Sequence, residues 1–128
     1  MTGGQAIPIQ CRVKERDATC NMLLAAGVRI IASDGTTVRK VMGLVGRDNT
    51  EADATVLTNR GATITSASGD YTTVEGDRIV IEIGMGGDPD AGSDHDSDMR
   101  LGDAALTDLP QDDLSVLDLN PWIQLTDT

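Results

Sequence analysis

Three aspartates at alternate positions, Asp94, Asp96 and Asp98, have the residue type and spacing best suited to chemistry. They close the stretch from Asp88 to Asp98, DPDAGSDHDSD, in which five residues are aspartate. Carboxylates spaced this way can converge on a hard cation such as Ca²⁺, which takes about six to eight oxygen ligands. A helix-loop-helix calcium hand is a poor frame for them. Counting from Asp94, the position that needs Gly holds Met99 and the one that needs Glu holds Ala105. The plain alternative is a solvated acidic loop that adds charge and solubility. His95 sits among these acids, and negative neighbours favour its protonated form. It could serve as a base or a ligand, but no nucleophile pattern accompanies it.

Other residues with chemical potential are weaker candidates. The sequence holds no G-x-S-x-G elbow, no H-E-x-x-H and no P-loop. Asp112-Asp113, and Asp70 with Glu75, are carboxylate pairs of the kind a glycosidase needs. With 21 acidic residues in 128, such pairs arise by chance. Cys11 and Cys20 are too few for a disulfide framework and are expected to be reduced and buried. Two cysteines fall short of a four-ligand structural zinc site, and His95 is remote from them in sequence. Trp122 follows Asn120-Pro121 and is either a core anchor, whose indole N–H then needs an acceptor, or a binding-face aromatic. With one Trp, one Tyr and no Phe, the chain lacks the stacking rings of a sugar-binding module. Arg12, Lys14 and Arg16 share one strand face. They form a solvated face, or they meet an acidic partner or the acidic loop of a neighbouring copy. No catalytic residue is assigned, and a non-enzymatic protein is expected.

The elements that position these residues read as strands. Ile7, Ile9, Cys11 and Val13 alternate with Pro8, Gln10, Arg12 and Lys14. Successive strand side chains face opposite ways, so this is one strand with one apolar face. Asn21 to Ser33 has helix-forming residues, but Gly27 weakens a helix and Val28, Ile30 and Ile31 prefer a sheet. Ser33-Asp34-Gly35-Thr36 then predicts a hairpin turn, with Thr37 to Val45 returning. Ala54 to Leu57 and Ala62 to Thr65 are short segments that Asn59-Arg60-Gly61 could join by a turn. After the Gly76-Asp77 turn, Ile79, Ile81, Ile83 and Met85 share one parity in the most regular strand, expected to be central. Met99 to Leu101 and Trp122 to Leu125 are brief strands, separated by a long surface connection over 102–118.

The chain's 128 residues suit one domain, 1–128, built as an all-β sandwich. At 39% hydrophobic with almost no aromatics, its core must come from Ile, Val, Leu, Met and Ala. A net charge of −11 repels phosphate backbones, so nucleic acid is not an expected partner. It also disfavours anionic membranes, and no apolar run approaches the about 20 residues of a membrane helix. The start, MTGGQAIPIQ, has neither the basic nor the apolar region of a signal peptide.

Five segments, SDGTTVR (33–39), EGDRIVIEIG (75–84), MRLGD (99–103), TDLP (107–110) and LNPWIQL (119–125), occur in an order and spacing that resembles a known group. It is the C-terminal part of phage and prophage virion structural proteins with a jelly-roll-like β-sandwich. The resemblance spans Cys20 to Leu125. It implies a jelly-roll-like antiparallel sandwich and a structural role in the virion, assembled in the host cytoplasm. Decoration or cementing of the capsid is the favoured role. The alternative is a receptor- or glycan-binding module of a tail or fibre. The implied partners are the major capsid protein or tail proteins, and further copies of the chain in a homo-oligomer. Members of the group are longer, so Met1 is an internal start or the fold is reduced. A shortened sandwich leaves sheet edges that a neighbouring subunit would complete. The loop at 88–98 is more acidic than the group's pattern.

Overall fold

In a computed structural model that describes residues 2–45, 50–87 and 95–125, the chain is an all-β sandwich of two antiparallel sheets. Seven strands follow in order: β1 (Ala6–Glu15), β2 (Met22–Ile31), β3 (Val38–Val45), β4 (Thr58–Thr65), β5 (Arg78–Gly87), β6 (Ser97–Arg100) and β7 (Trp122–Ile123). The first sheet has β1 at its centre. β4 pairs along one side of it, and β6 and β7 share the other. The second sheet runs β3-β2-β5. Partners nest as β1 with β6 and β2 with β5, while β3 and β4 face each other across the sheets.

Local chemistry explains the early elements. The alternation in β1 turns Ile7, Ile9, Cys11 and Val13 inward, and all are buried. The β2–β3 hairpin forms at the expected turn. Asp34 accepts the amides of Thr36 and Thr37, each at 2.8 Å, and Gly35 takes a φ of 79°. Two buried clusters fill the space between the sheets. One joins Ile7, Ile9, Val28, Ile30, Met42 and Ile64, and the other joins Cys11, Val13, Cys20, Met22 and Leu24. Each large aliphatic side chain buried this way contributes about 1.5–3 kcal/mol. Gly43 lets the sheets close on the β3–β4 side, since a Cβ there would collide with Ile64 and the Thr65 carbonyl.

Four expectations need correction. β5 is an edge strand, not a central one. The centre goes to β2, whose outward residues Leu23, Ala25, Gly27 and Ile31 are also apolar or small and whose outward Arg29 pairs with Glu82 of β5. Asn59-Arg60-Gly61 is not a turn but lies within β4, opposite Arg12, Cys11 and Gln10. Gly61 is there for close packing, because a Cβ would strike Gln10 and Asp113. Arg12 is not solvated: it is 6% exposed. The acidic stretch also ends earlier than read, since Ser97 and Asp98 belong to β6.

Arg12 is buried because the 102–118 connection folds over the outer face of the first sheet. The guanidinium donates to the carbonyls of Leu57 and Val116 at 2.9 and 2.8 Å and to Asp118 at 3.0 Å. Asn59 N–H donates to the Ser115 carbonyl, and Gly61 N–H to Asp113. Trp122 is half-buried, and its indole N–H donates to the Leu109 carbonyl at 2.7 Å, the acceptor a buried ring requires. The outer face of the second sheet has no such cover among the described residues.

Candidate functional site

The β1–β2 corner gathers a thiol, an imidazole and a carboxylate. Asp17 to Cys20 is a tight turn closed by the Cys20 N–H on the Asp17 carbonyl at 3.0 Å. Asp17 Oδ1 accepts the amide and the hydroxyl of Thr19, both at 2.9 Å, an Asx-type arrangement. The turn therefore sets Asp17 and Cys20 side by side. His95 arrives from the other end of the chain. β6 pairs antiparallel with β1, with Glu15 opposite Ser97, and Arg16 N–H donates to the Asp96 carbonyl at 3.1 Å. Carried one residue further, that register places His95 opposite Asp17. The ligand atoms of Asp17, Cys20 and His95 all lie within 4.8 Å of one another.

Electrostatics at this corner are negative. Burial, then the charge of Asp17, pushes the Cys20 thiol up, with Glu15 and Asp96 adding to the effect. The Thr19 amide and hydroxyl hold the Asp17 carboxyl below its usual range, and His95 lowers it further. Cys20 is fully buried, His95 half-buried and Asp17 exposed, so the cluster runs from the core to the surface. No sequence signal marks it, because His95 reaches Asp17 only through pairing between distant strands.

The aspartates that could converge on a hard cation are placed differently from one another. Asp94 lies outside the described residues. Asp96 is exposed and holds Arg16 through its backbone carbonyl. Asp98 sits in β6 with its carboxylate on Arg16 Nε and Nη2, at 2.9 and 2.6 Å, and 3.8 Å from Lys14. Those bonds, chiefly from Arg16, hold its carboxyl below the usual range. The basic face of β1 thus meets the acidic segment of its own chain. Asp112 accepts the amides of Leu114 and Ser115, and Asp113 that of Gly61. Asp70 accepts the Gly3 amide. Cys11 and Cys20 are buried thiols, as expected.

A second feature is the uncovered second sheet. Beyond its pairing with β2, the ten-residue edge of β5 has no strand partner among the described residues. Ile79 and Ile81 oppose the buried Ile30 and Val28, so they face inward, yet they are 45% and 40% exposed. The first sheet is too short to cover them, and a groove of about 240 Å³ opens between Ile81, Ile83, Met99 and Leu101. On the outer face, Val38, Val41 and Leu44 stand exposed beside Ala25, Gly27 and Gly84, with Leu44 at 72%. Comparison with known proteins adds no relative: no family model, no curated protein and no solved structure matches the chain.

Proposed function

We propose that this chain is a non-enzymatic structural subunit of a virion that decorates or cements the capsid by joining neighbours through its second sheet. The setting comes from the resemblance of its segments to phage virion proteins. The observation that supports a joining role is the β5 edge, ten residues long, without proline and with no strand partner beyond β2 among the described residues. The partner at that edge is a second copy. A two-fold axis through Val80 lays β5 antiparallel to its own image. Arg78 then opposes Glu82 of the second copy, Ile79 opposes Ile81, and Val80 meets Val80. A two-fold through Ile81 sets Arg78 against Gly84, and one through Glu82 sets like charges together. Only the Val80 register pairs both charges and both isoleucines. Each favourable cross-strand pair adds about 0.2–1 kcal/mol, and the contact is self-complementary and closed.

A receptor- or glycan-binding role has less support, because the single tryptophan is half-buried with its N–H bonded to Leu109. The deciding experiment is the copy number in purified particles relative to the major capsid protein. A simple fraction of the capsid copy number is expected, whereas absence from particles overturns the virion reading. The joining mode is tested by sedimentation of the isolated chain. Arg78→Glu should dissociate a dimer, because it sets a carboxylate against Glu82 while leaving the Arg29–Glu82 pair within the chain intact. A monomeric wild-type chain refutes self-pairing without touching the particle result.

A further inference from the structure

We propose that Asp17, Cys20 and His95 form a binding site for Zn²⁺ or a similar divalent transition metal, clipping the β1–β2 corner to the start of β6. A thiolate, an imidazole and a carboxylate form a ligand set that suits Zn²⁺, with three protein ligands and a fourth position open to water. Hard cations such as Ca²⁺ want oxygen alone and are poorly served by Cys20.

Geometry carries the proposal. Ligand atoms around tetrahedral zinc stand about 3.5 Å apart, from bonds of about 2.0–2.3 Å. The three here lie within 4.8 Å, so an inward shift of about 1 Å completes the set. Neither ligand segment is loosely placed. The Asp17–Cys20 turn is closed by three hydrogen bonds, and the segment before β6 is tied to β1 by Arg16 through the Asp96 carbonyl and the Asp98 carboxylate. The Thr19 bonds fix Oδ1 of Asp17 and so set the orientation of its carboxylate.

The corner is also acidic. Glu15 and Asp96 lie near Cys20 beside Asp17. A divalent cation replaces the Cys20 proton, which leaves to solvent, and is attracted by these carboxylates. The cross-link closes the chain between residues 20 and 95, so its loss frees a long loop.

The test uses Co²⁺ as a spectroscopic probe and Zn²⁺ as its competitor on the full chain. One Co²⁺ per chain is expected, with a thiolate-to-cobalt band in the near ultraviolet that Zn²⁺ abolishes. Asp17→Asn retains the oxygen that caps Thr19, and His95→Gln changes a half-buried side chain, so both should fold. Each should weaken Co²⁺ binding by about tenfold or more. Zn²⁺ should raise Tm in the wild type and not in His95→Gln. Absence of the thiolate band from folded protein overturns the site. A band whose affinity is unchanged in both variants also overturns it, since Cys20 would then act alone.

Discussion

Replacing Arg12 by Met removes the donor that holds the long connection while keeping the volume of its stem. Three bonds are lost: those to Leu57 and Val116 carbonyls and that to Asp118. The Asp118 side chain is 60% exposed and also contacts Arg100, so water and a second arginine compensate it and that bond counts for little. The two carbonyl bonds from a charged donor are each worth about 1.5–3 kcal/mol by deletion. Against them, removing a 6%-exposed charge returns part of its desolvation cost. The net expectation for Arg12→Met is a loss of about 2–3 kcal/mol, a large share of a total stability of about 5–15 kcal/mol. Asp118→Asn should cost less than about 0.5 kcal/mol. Urea unfolding followed by the fluorescence of Trp122 measures both, and limited proteolysis should cut the 102–118 connection faster in Arg12→Met. If Arg12→Met unfolds within about 0.5 kcal/mol of wild type, or if Asp118→Asn matches it, the guanidinium does not hold the connection.

Three further outcomes are expected. Trp122→Phe leaves the carbonyl of buried Leu109 without its donor and should cost about 1–3 kcal/mol in urea unfolding; a neutral result would mean that water reaches that carbonyl. Gly61→Ala drives a methyl group into Gln10 and Asp113, so it should destabilise by about 1–3 kcal/mol and loosen the connection, whereas Gly84→Ala, with open space around its Cβ, should be tolerated far better. Asp34, Asp53, Asp98 and Asp112 are held below the usual carboxyl range by bonds from the Thr37 hydroxyl, the Thr55 hydroxyl, the Arg16 guanidinium and the Ser115 amide. The folded state then binds fewer protons than the unfolded one, so their stabilisation is complete above about pH 4 and disappears as pH falls through the folded values. Thermal melts should show Tm level from pH 7 to about 4 and falling below; a main loss between pH 7 and 5 would contradict this assignment.

The strands that could be read in the sequence are those whose signal is local. β1, β2 and the β3 hairpin follow from alternation and from Asp34-Gly35, because a parity and a turn residue act within a few positions. β4 departs from its composition for a physical reason. Asn59, Arg60 and Gly61 have the composition of a turn, but each bonds to a segment outside the sheet: Asn59 to Pro110, Arg60 to the Thr50 carbonyl, Gly61 to Asp113. The rank of β5 was overestimated because its isoleucines report an inward face and say nothing about what lies opposite. The Asp17–Cys20–His95 cluster was illegible for the same kind of reason. It is set by the register of β6 on β1, between residues far apart in the chain.

The two sheets solve the covering problem in opposite ways, and the difference follows from their outer residues. On the first sheet, Gln10, Arg12 and Asn59 face outward and are buried, so they need polar partners. Only an irregular segment has backbone carbonyls and amides to spare, and the 102–118 connection presents them at Val116, Pro110 and Ser115. On the second sheet, Ala25, Gly27, Gly84, Val41 and Leu44 have no side-chain polar groups to satisfy, and the outward Arg29 and Glu82 pair with each other at 2.8 Å, so such a connection would gain little there. Among the described residues, the connection therefore covers the face whose buried polar groups bond to it, and the second sheet keeps a mixed outer face with β5 as its edge strand.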